Sequence, residues 1–261
     1  MPTYKLMTLN MKNESVTSFR RRKNSLAELV REQDPDLIGV QELMDFMIAE
    51  LPELFETYCF FGKARQSSDK TNERCCILYR RDRFRLIRGK TIWLSDTPDV
   101  PSKFQDSIFP RIATMAVLED RTCGIRFTFA NTHLDHLLPS ARMKQVRVFK
   151  TVLEDYREGA FTAVTGDFNT TLVSKPLQDL ISDRFLHVKD TAPHDGRTTI
   201  RGFIQASASR YRPIDHIFVS EEPEVIASSI HSGMVLGVYP TDHCPITTVI
   251  RVNDPEASES E

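Results

Sequence analysis

Ala163-Val164-Thr165-Gly166-Asp167-Phe168-Asn169-Thr170 is the stretch on which the reading of the chain turns. Phe161 to Val164 is a short apolar run of strand-compatible residues, and Gly166 is expected to break it. Asp167 and Asn169 follow one residue apart. If the backbone stays extended, positions two apart point the same way, so an acid and an amide leave the end of a buried strand side by side. Such a pair can aim a general base and a hydrogen-bond donor at one reacting group. Gly, Asp and Asn are also turn formers, so the octapeptide alone describes a tight turn equally well.

The flanking sequence repeats the theme. Before the octapeptide, Ile125 to Ala130 reads as a strand ending in Asn131-Thr132-His133-Leu134-Asp135-His136, and Ser140 to Tyr156 reads as a helix with Met143, Val146, Phe149, Val152 and Leu153 on one face. Arg111 to Leu118 forms a hairpin with that strand through Asp120 to Gly124. Tyr4 to Leu9 is a strand ending at Asn10, and Asp36 to Val40 is a buried strand that delivers Gln41 and Glu42. Between these two, Phe19 to Gln33 has helical spacing; its Arg20-Arg21-Arg22-Lys23 run reads as a solvated face, with a nucleic-acid patch as the alternative. A helix over Met44 to Leu51, a polar loop from Lys63 to Glu73, and strands at Arg74 to Tyr79 and Phe84 to Leu94 follow, the second extending the first. Ser95 to Pro110 is a long loop with three prolines. After the octapeptide come a short helix at Pro176 to Ile181, a turn at Asp195-Gly196, strands at Pro213 to Val219 and Glu224 to Ile230, and a closing strand from Cys244 to Val252 behind Thr241-Asp242-His243.

With 261 residues, 40% of them hydrophobic, the chain can bury a large core. It has no internal repeat and no composition shift, so one catalytic domain over residues 1–252 is expected, with an acidic, disordered tail at 253–261. A formal charge of −2 gives no global grip on polyanions. Five cysteines without metal-ligand spacing read as reduced thiols of a cytoplasmic protein. No leader peptide or bilayer-spanning run stands out.

Strongly polar residues end strands at Asn10, Glu42, His133, Asp167 with Asn169, and Asp242 with His243. Strand ends on one edge of a packed sheet can converge into a cleft. His136 and His216 read instead as structural histidines. Asn, Glu and Asp offer hard oxygen ligands, which suit Mg²⁺ or Mn²⁺ better than Zn²⁺. Carboxylates and histidines around such a cation suit attack of water on a phosphate. Neither a Gly-x-Ser-x-Gly elbow nor a Walker-type glycine loop is present.

Asn10, Gln41-Glu42, Thr132-His133-Leu134, Gly166-Asp167-Phe168-Asn169, Ile214-Asp215-His216-Ile217 and Thr241-Asp242-His243 together resemble the endonuclease/exonuclease/phosphatase superfamily, in order and across almost the whole chain. Trp93-Leu94-Ser95 and Pro110-Arg111 resemble its smaller members near the deadenylase branch. The resemblance implies an α/β fold: a four-layered sandwich of two mixed β-sheets packed face to face, with helices outside. It implies Glu42 as the principal metal ligand, with Asn10 and Asp242 nearby. It implies that Asp167 orients or deprotonates water, that Asn169 donates to the phosphate or fixes that water, and that His243, held by Asp215, binds a nonbridging oxygen or serves as the base. His133 is the other phosphate donor. Arg111 is either a substrate contact or half of a structural salt bridge.

The expected activity is Mg²⁺- or Mn²⁺-dependent hydrolysis of a phosphoric ester, with a phosphodiester of DNA, RNA or a nucleotide as substrate. Inositol phosphates and sphingomyelin are the alternatives within the superfamily, and a non-enzymatic binding module on the same fold is the alternative outside it. No membrane anchor is expected, and the oligomeric state is open.

Overall fold

Tyr4, Leu6, Met7 and Leu9 are all buried in the first strand, β1 (Thr3–Asn10). Alternation explains this. Tyr4 and Leu6 point into one apolar cluster, whereas Met7 and Leu9 point into another on the opposite face. A strand buried on both faces needs a layer on each side, and the rest of the chain supplies them. The computed structural model describes residues 1–66, 73–181, 189–191, 198–201, 212–220 and 222–253.

After β1 come α1 (Val16–Arg20), α2 (Lys23–Gln33), β2 (Leu37–Leu43), α3 (Asp45–Glu50), α4 (Pro52–Thr57), β3 (Tyr58–Phe61), β4 (Arg74–Arg80), β5 (Phe84–Trp93), β6 (Ile112–Asp120) and β7 (Arg126–His133). Then follow α5 (Pro139–Tyr156), β8 (Thr162–Asp167), α6 (Lys175–Ile181), β9 (Lys189–Asp190), β10 (Asp215–Val219), β11 (Glu224–Ile230) and β12 (Ile246–Arg251). The first sheet has the order β11-β12-β1-β2-β4-β3 and the second β5-β6-β7-β8-β10-β9. Each is mixed: β1 and β2 are parallel, as are β7 and β8, among otherwise antiparallel pairs.

The inner faces meet in one cluster that includes Tyr4, Leu6, Leu37 and Ile77 from the first sheet and Leu118, Phe127, Phe129 and Ile217 from the second. Leu26, Leu29 and Val30 of α2 cover the outer face of the first sheet. Val146, Phe149 and Leu153 of α5 cover that of the second. Each large side chain buried this way contributes about 1.5–3 kcal/mol relative to exposure. The expected four-layered sandwich is the fold observed.

Three local expectations change. The basic segment is not one solvated helical face, because the helix is interrupted at Arg22. That side chain is buried, donating to Pro240 O and Met11 O at 2.6 Å each and pairing with Glu14. A buried guanidinium persists where its donors find acceptors, and leaving the helix gives Arg22 that access. Arg20 and Lys23 both pair with Glu50. β5 does not extend β4; the turn between them carries the chain from one sheet to the other. Gly166 does not end its strand but lies within β8, where a Cβ would stand 2.5 Å from Thr132 O. Close approach of the neighbouring strand β7, rather than a break, requires glycine there. The Asp195-Gly196 turn and the acidic segment from Asp254 fall outside the described residues.

Candidate active site

Parallel register aligns the ends of β7 and β8, so His133 lies beside Asp167. β10 runs antiparallel to β8 and begins where β8 ends, which places Asp215 on the other side of Asp167. In the first sheet, Asn10 is in register with Gln41, next to Glu42. His243 comes from the segment before β12, through a bridge to Ile200. One edge of the sandwich thus gathers residues spread over more than 230 positions.

Asp167 is the centre, and is only 2% exposed. Its Oδ2 accepts from Asn10 Nδ2 at 3.1 Å and is approached by His133 Nε2 at 3.5 Å and His243 Nε2 at 3.8 Å. Its Oδ1 accepts the Asn169 backbone N–H at 2.9 Å. Burial raises its carboxyl pKa, and the Asp215 charge adds to the rise. His243 is held from behind, with Nδ1 2.9 Å from Asp215 Oδ2. Burial opposes its positive charge, but the Asp215 carboxylate, by charge and hydrogen bond, together with Asp167, prevails and brings its pKa to about 10. His133 shifts the other way: burial first, then the nearby Arg111 and Arg65 cations, lower its pKa well below the ordinary value.

Glu42 sits in left-handed backbone, φ 59°. Its Oε1 accepts the same Asn10 amide at 3.0 Å, and Oε2 accepts the Asn13 N–H. Asn10 therefore holds two carboxylates together, while its oxygen accepts Lys12 N–H at 2.9 Å. Ligand atoms of Glu42, His133 and Asp167 lie within 4.8 Å of one another, as do those of Asp167, Asp215 and His243. Two carboxylates gathered on one amide form a hard, anionic donor set that fits a divalent cation.

Other candidates are placed differently. Asp242 is in neither ligand group; its side chain is 41% exposed and lies 3.9 Å from Lys12 Nζ. Asn169 leaves extended geometry, with φ 51°, and its Nδ2 donates to Leu134 O at 3.0 Å. The octapeptide therefore turns at Asn169, and the amide ties the end of β8 to the segment after β7. Arg111 is buried with its Nε unpartnered among the described residues, and its guanidinium is 3.3 Å from His136 Nδ1. His136 also stacks on Phe109, and the buried His216 stacks on Phe218. Arg65 and Glu73 line the small pocket shared by Glu42, Arg111 and His133, and form a bidentate pair at 2.7 and 2.9 Å. Their segment read only as a polar loop, and no motif singles them out.

An α/β sandwich with paired carboxylates and two oppositely tuned histidines on one edge defines a class: hydrolases of phosphoric esters that depend on divalent metal. A model described as Endonuclease/Exonuclease/phosphatase family matches residues 7–243, and the chain belongs to that family. A protein of Acanthamoeba polyphaga mimivirus is 26% identical over 165 residues, 60% of this chain and 61% of that relative, so this chain spans less than two thirds of it. The Bacteroides thetaiotaomicron mannosyl-6-phosphatase structure is similar at TM-score 0.84 and 25% identity, covering 95% of this chain and 99% of that one. D. rerio TDP2 complexed with single-strand DNA product has TM-score 0.74 and 17% identity over 96% of this chain and 99% of that one, a likeness of fold. Among the described residues no helix is long and apolar enough to cross a membrane.

Proposed function

We propose that the chain hydrolyses phosphoric esters by attack of water, with nucleic-acid or nucleotide phosphodiesters as the substrate class. The observation that carries the reaction is the position of Asp167 Oδ2, between a histidine held cationic and one held neutral and tied through Asn10 to Glu42. Glu42, with Asn10 and Asp242 as further candidates, would hold Mg²⁺ or Mn²⁺ beside Asp167. When bound, the cation neutralises phosphoryl charge and acidifies water.

The chain's own residues supply the rest. Asp167 Oδ2 orients water and takes its proton as the O–P bond forms and the P–O bond to the leaving group breaks, the leaving oxygen keeping that electron pair and taking a proton from solvent. Asn169 fixes the other carboxylate oxygen through its backbone N–H. His243 Nε2–H donates to a nonbridging oxygen on which charge grows, and Asp215 keeps that ring charged and oriented. Arg111 brings a second cation to the phosphate.

The substrate reading is supported by Tyr239, just before Thr241-Asp242-His243. The residue is 45% exposed, and the Arg201 guanidinium lies over one face of its ring at 4.2 Å, which leaves a flat surface of the kind on which bases stack. A second reading, a phosphomonoester such as a sugar phosphate, is favoured by the buried Arg111, whose Nε has no partner among the described residues and suits a doubly charged terminal phosphate, and by the likeness to the mannosyl-6-phosphatase. Rates on single-stranded DNA, RNA, dinucleotides, mannose 6-phosphate, inositol phosphates and sphingomyelin, with Mg²⁺ and with chelator, test both readings. Chelator-sensitive turnover of diesters above monoesters is expected. The reverse order selects the second reading, and absence of turnover on every substrate overturns the hydrolase proposal.

A further inference from the structure

We propose that Asn131 is a positioning residue for Glu42, acting from the opposite sheet through the backbone of β2; this rests on the reading of Glu42 as a metal-holding residue. Between Val40 and Leu43, β2 spans three steps while its partner β4 spans two, from Cys76 to Arg74. The extra residue makes a β-bulge, which bends a strand and re-aims its side chains. Glu42 lies in that bulge with φ 59°. A non-glycine residue stays in such backbone only where its surroundings over-determine it.

Asn131 supplies that constraint. It belongs to β7, is fully buried, and its side chain crosses the interface between the sheets. Its Nδ2 donates to Val40 O and Cys76 O, both at 2.8 Å, and lies 3.1 Å from Cys75 Sγ. These carbonyls belong to the last register pair before the bulge. Its Oδ1 accepts Gln41 Nε2 at 2.6 Å and Thr165 Oγ1 at 3.1 Å. The two N–H donors and the carbonyl oxygen of the amide are all engaged, and four of its five contacts reach β2 and β4 where the pairing is disturbed. The packing is tight: a Cβ on Gly39 would stand 2.7 Å from Asn131 Oδ1 and 1.8 Å from Thr165 Oγ1. Asn10 and Asn13 hold the Glu42 carboxylate; Asn131 holds the strand that presents it. Without it, β2 can return to regular pairing, and a one-residue shift turns a side chain to the other face.

Calorimetric titration with Mg²⁺ of the wild-type protein and the Asn131→Ala, Asn131→Ser, Thr165→Val and Glu42→Gln variants tests this, with melting temperatures recorded alongside. Glu42→Gln should abolish measurable binding. Asn131→Ala should weaken it about 10- to 100-fold, as expected for loss of a group that orients a ligand. Thr165→Val removes a bond of the same buried network without touching the β2 carbonyls; it should lower the melting temperature and bind Mg²⁺ as the wild type does. Wild-type affinity in a folded Asn131→Ala protein overturns the proposal, as does equal weakening by Thr165→Val. If Asn131→Ala does not fold, Asn131→Ser, which keeps one donor, carries the same two outcomes. Wild-type affinity in Glu42→Gln overturns the reading of Glu42, and the role of Asn131 with it.

Discussion

His133 and His243 are equally buried, 7% exposed each, and approach the same oxygen of Asp167 at 3.5 and 3.8 Å. On the His243 side the second ring nitrogen meets Asp215, and the imidazolium survives burial. On the His133 side the neighbouring charges are Arg111 and Arg65, and the ring stays neutral. Burial alone lowers both pKa values; the sign of the charge behind each ring separates them. One residue type thus provides a cationic ring and a neutral ring within a single cluster.

Substitutions can break this asymmetry, and the largest effect should come from the shared carboxylate. Asp167→Asn should lower kcat by roughly 10³-fold, within the range for losing a positioned general base, with an unchanged circular dichroism spectrum. A loss under tenfold would place the base elsewhere. Next, His243→Ala and Asp215→Asn should each cost roughly 10²-fold in kcat. The double variant should lose less than the product of the two, because coupled residues are not additive; full multiplicativity would show that the pair does not act as a unit. On the other side, Arg111→Gln should raise KM about 10-fold or more, as expected for loss of one charge-assisted hydrogen bond, with a smaller change in kcat. An unaltered KM would leave Arg111 a structural residue.

The smallest effects lie in stability, and their signs should be opposite. In the metal-free protein His243 has a raised pKa. Its contribution is fully present below its unfolded value of 6.5 and lost as pH rises towards about 10. His133 has a lowered pKa. It binds a proton more readily when unfolded, so it costs stability as pH falls below 6.5. Urea midpoints of wild type, His243→Gln and His133→Gln at pH 5, 7 and 9 in chelator are the check. The advantage of wild type over His243→Gln should shrink towards pH 9, and its advantage over His133→Gln should shrink towards pH 5. Parallel curves would mean that the two histidines are not differently charged.

The sequence made the strand ends legible because each needs only local information: an apolar run followed by a polar residue. That located Asn10, Glu42, His133, Asp167 and His243 and, with the ordered motifs, the sandwich itself. Relations between sheets were not legible. Arg22 read as solvated because its acceptors lie at Met11 and Pro240, the latter 218 positions away. β4 and β5 read as continuous because their division between sheets depends on which partner each finds. Asn131 read as the end of a strand, although its amide spends its bonds on a strand 90 positions earlier. Asn169 was read with its alternatives open, and its backbone takes the turn while its N–H serves Asp167.

The pairing of β12 with β1 has a consequence in time. Leu6 faces Thr248, and Thr3 faces Arg251. At synthesis rates of about 5–20 residues per second, roughly 10–50 s pass between the two strands. Over that interval one edge of β1 lacks its final neighbour, and an unpaired edge is a template for wrong partners. Asp242 and His243 emerge just ahead of β12, so His243 joins the Asp167 cluster and the edge of β1 is covered at nearly the same moment. A chain that stalls before that point combines an open edge with an unfinished site, so it is sticky and inert at once, a state that suits recognition by chaperones and proteases.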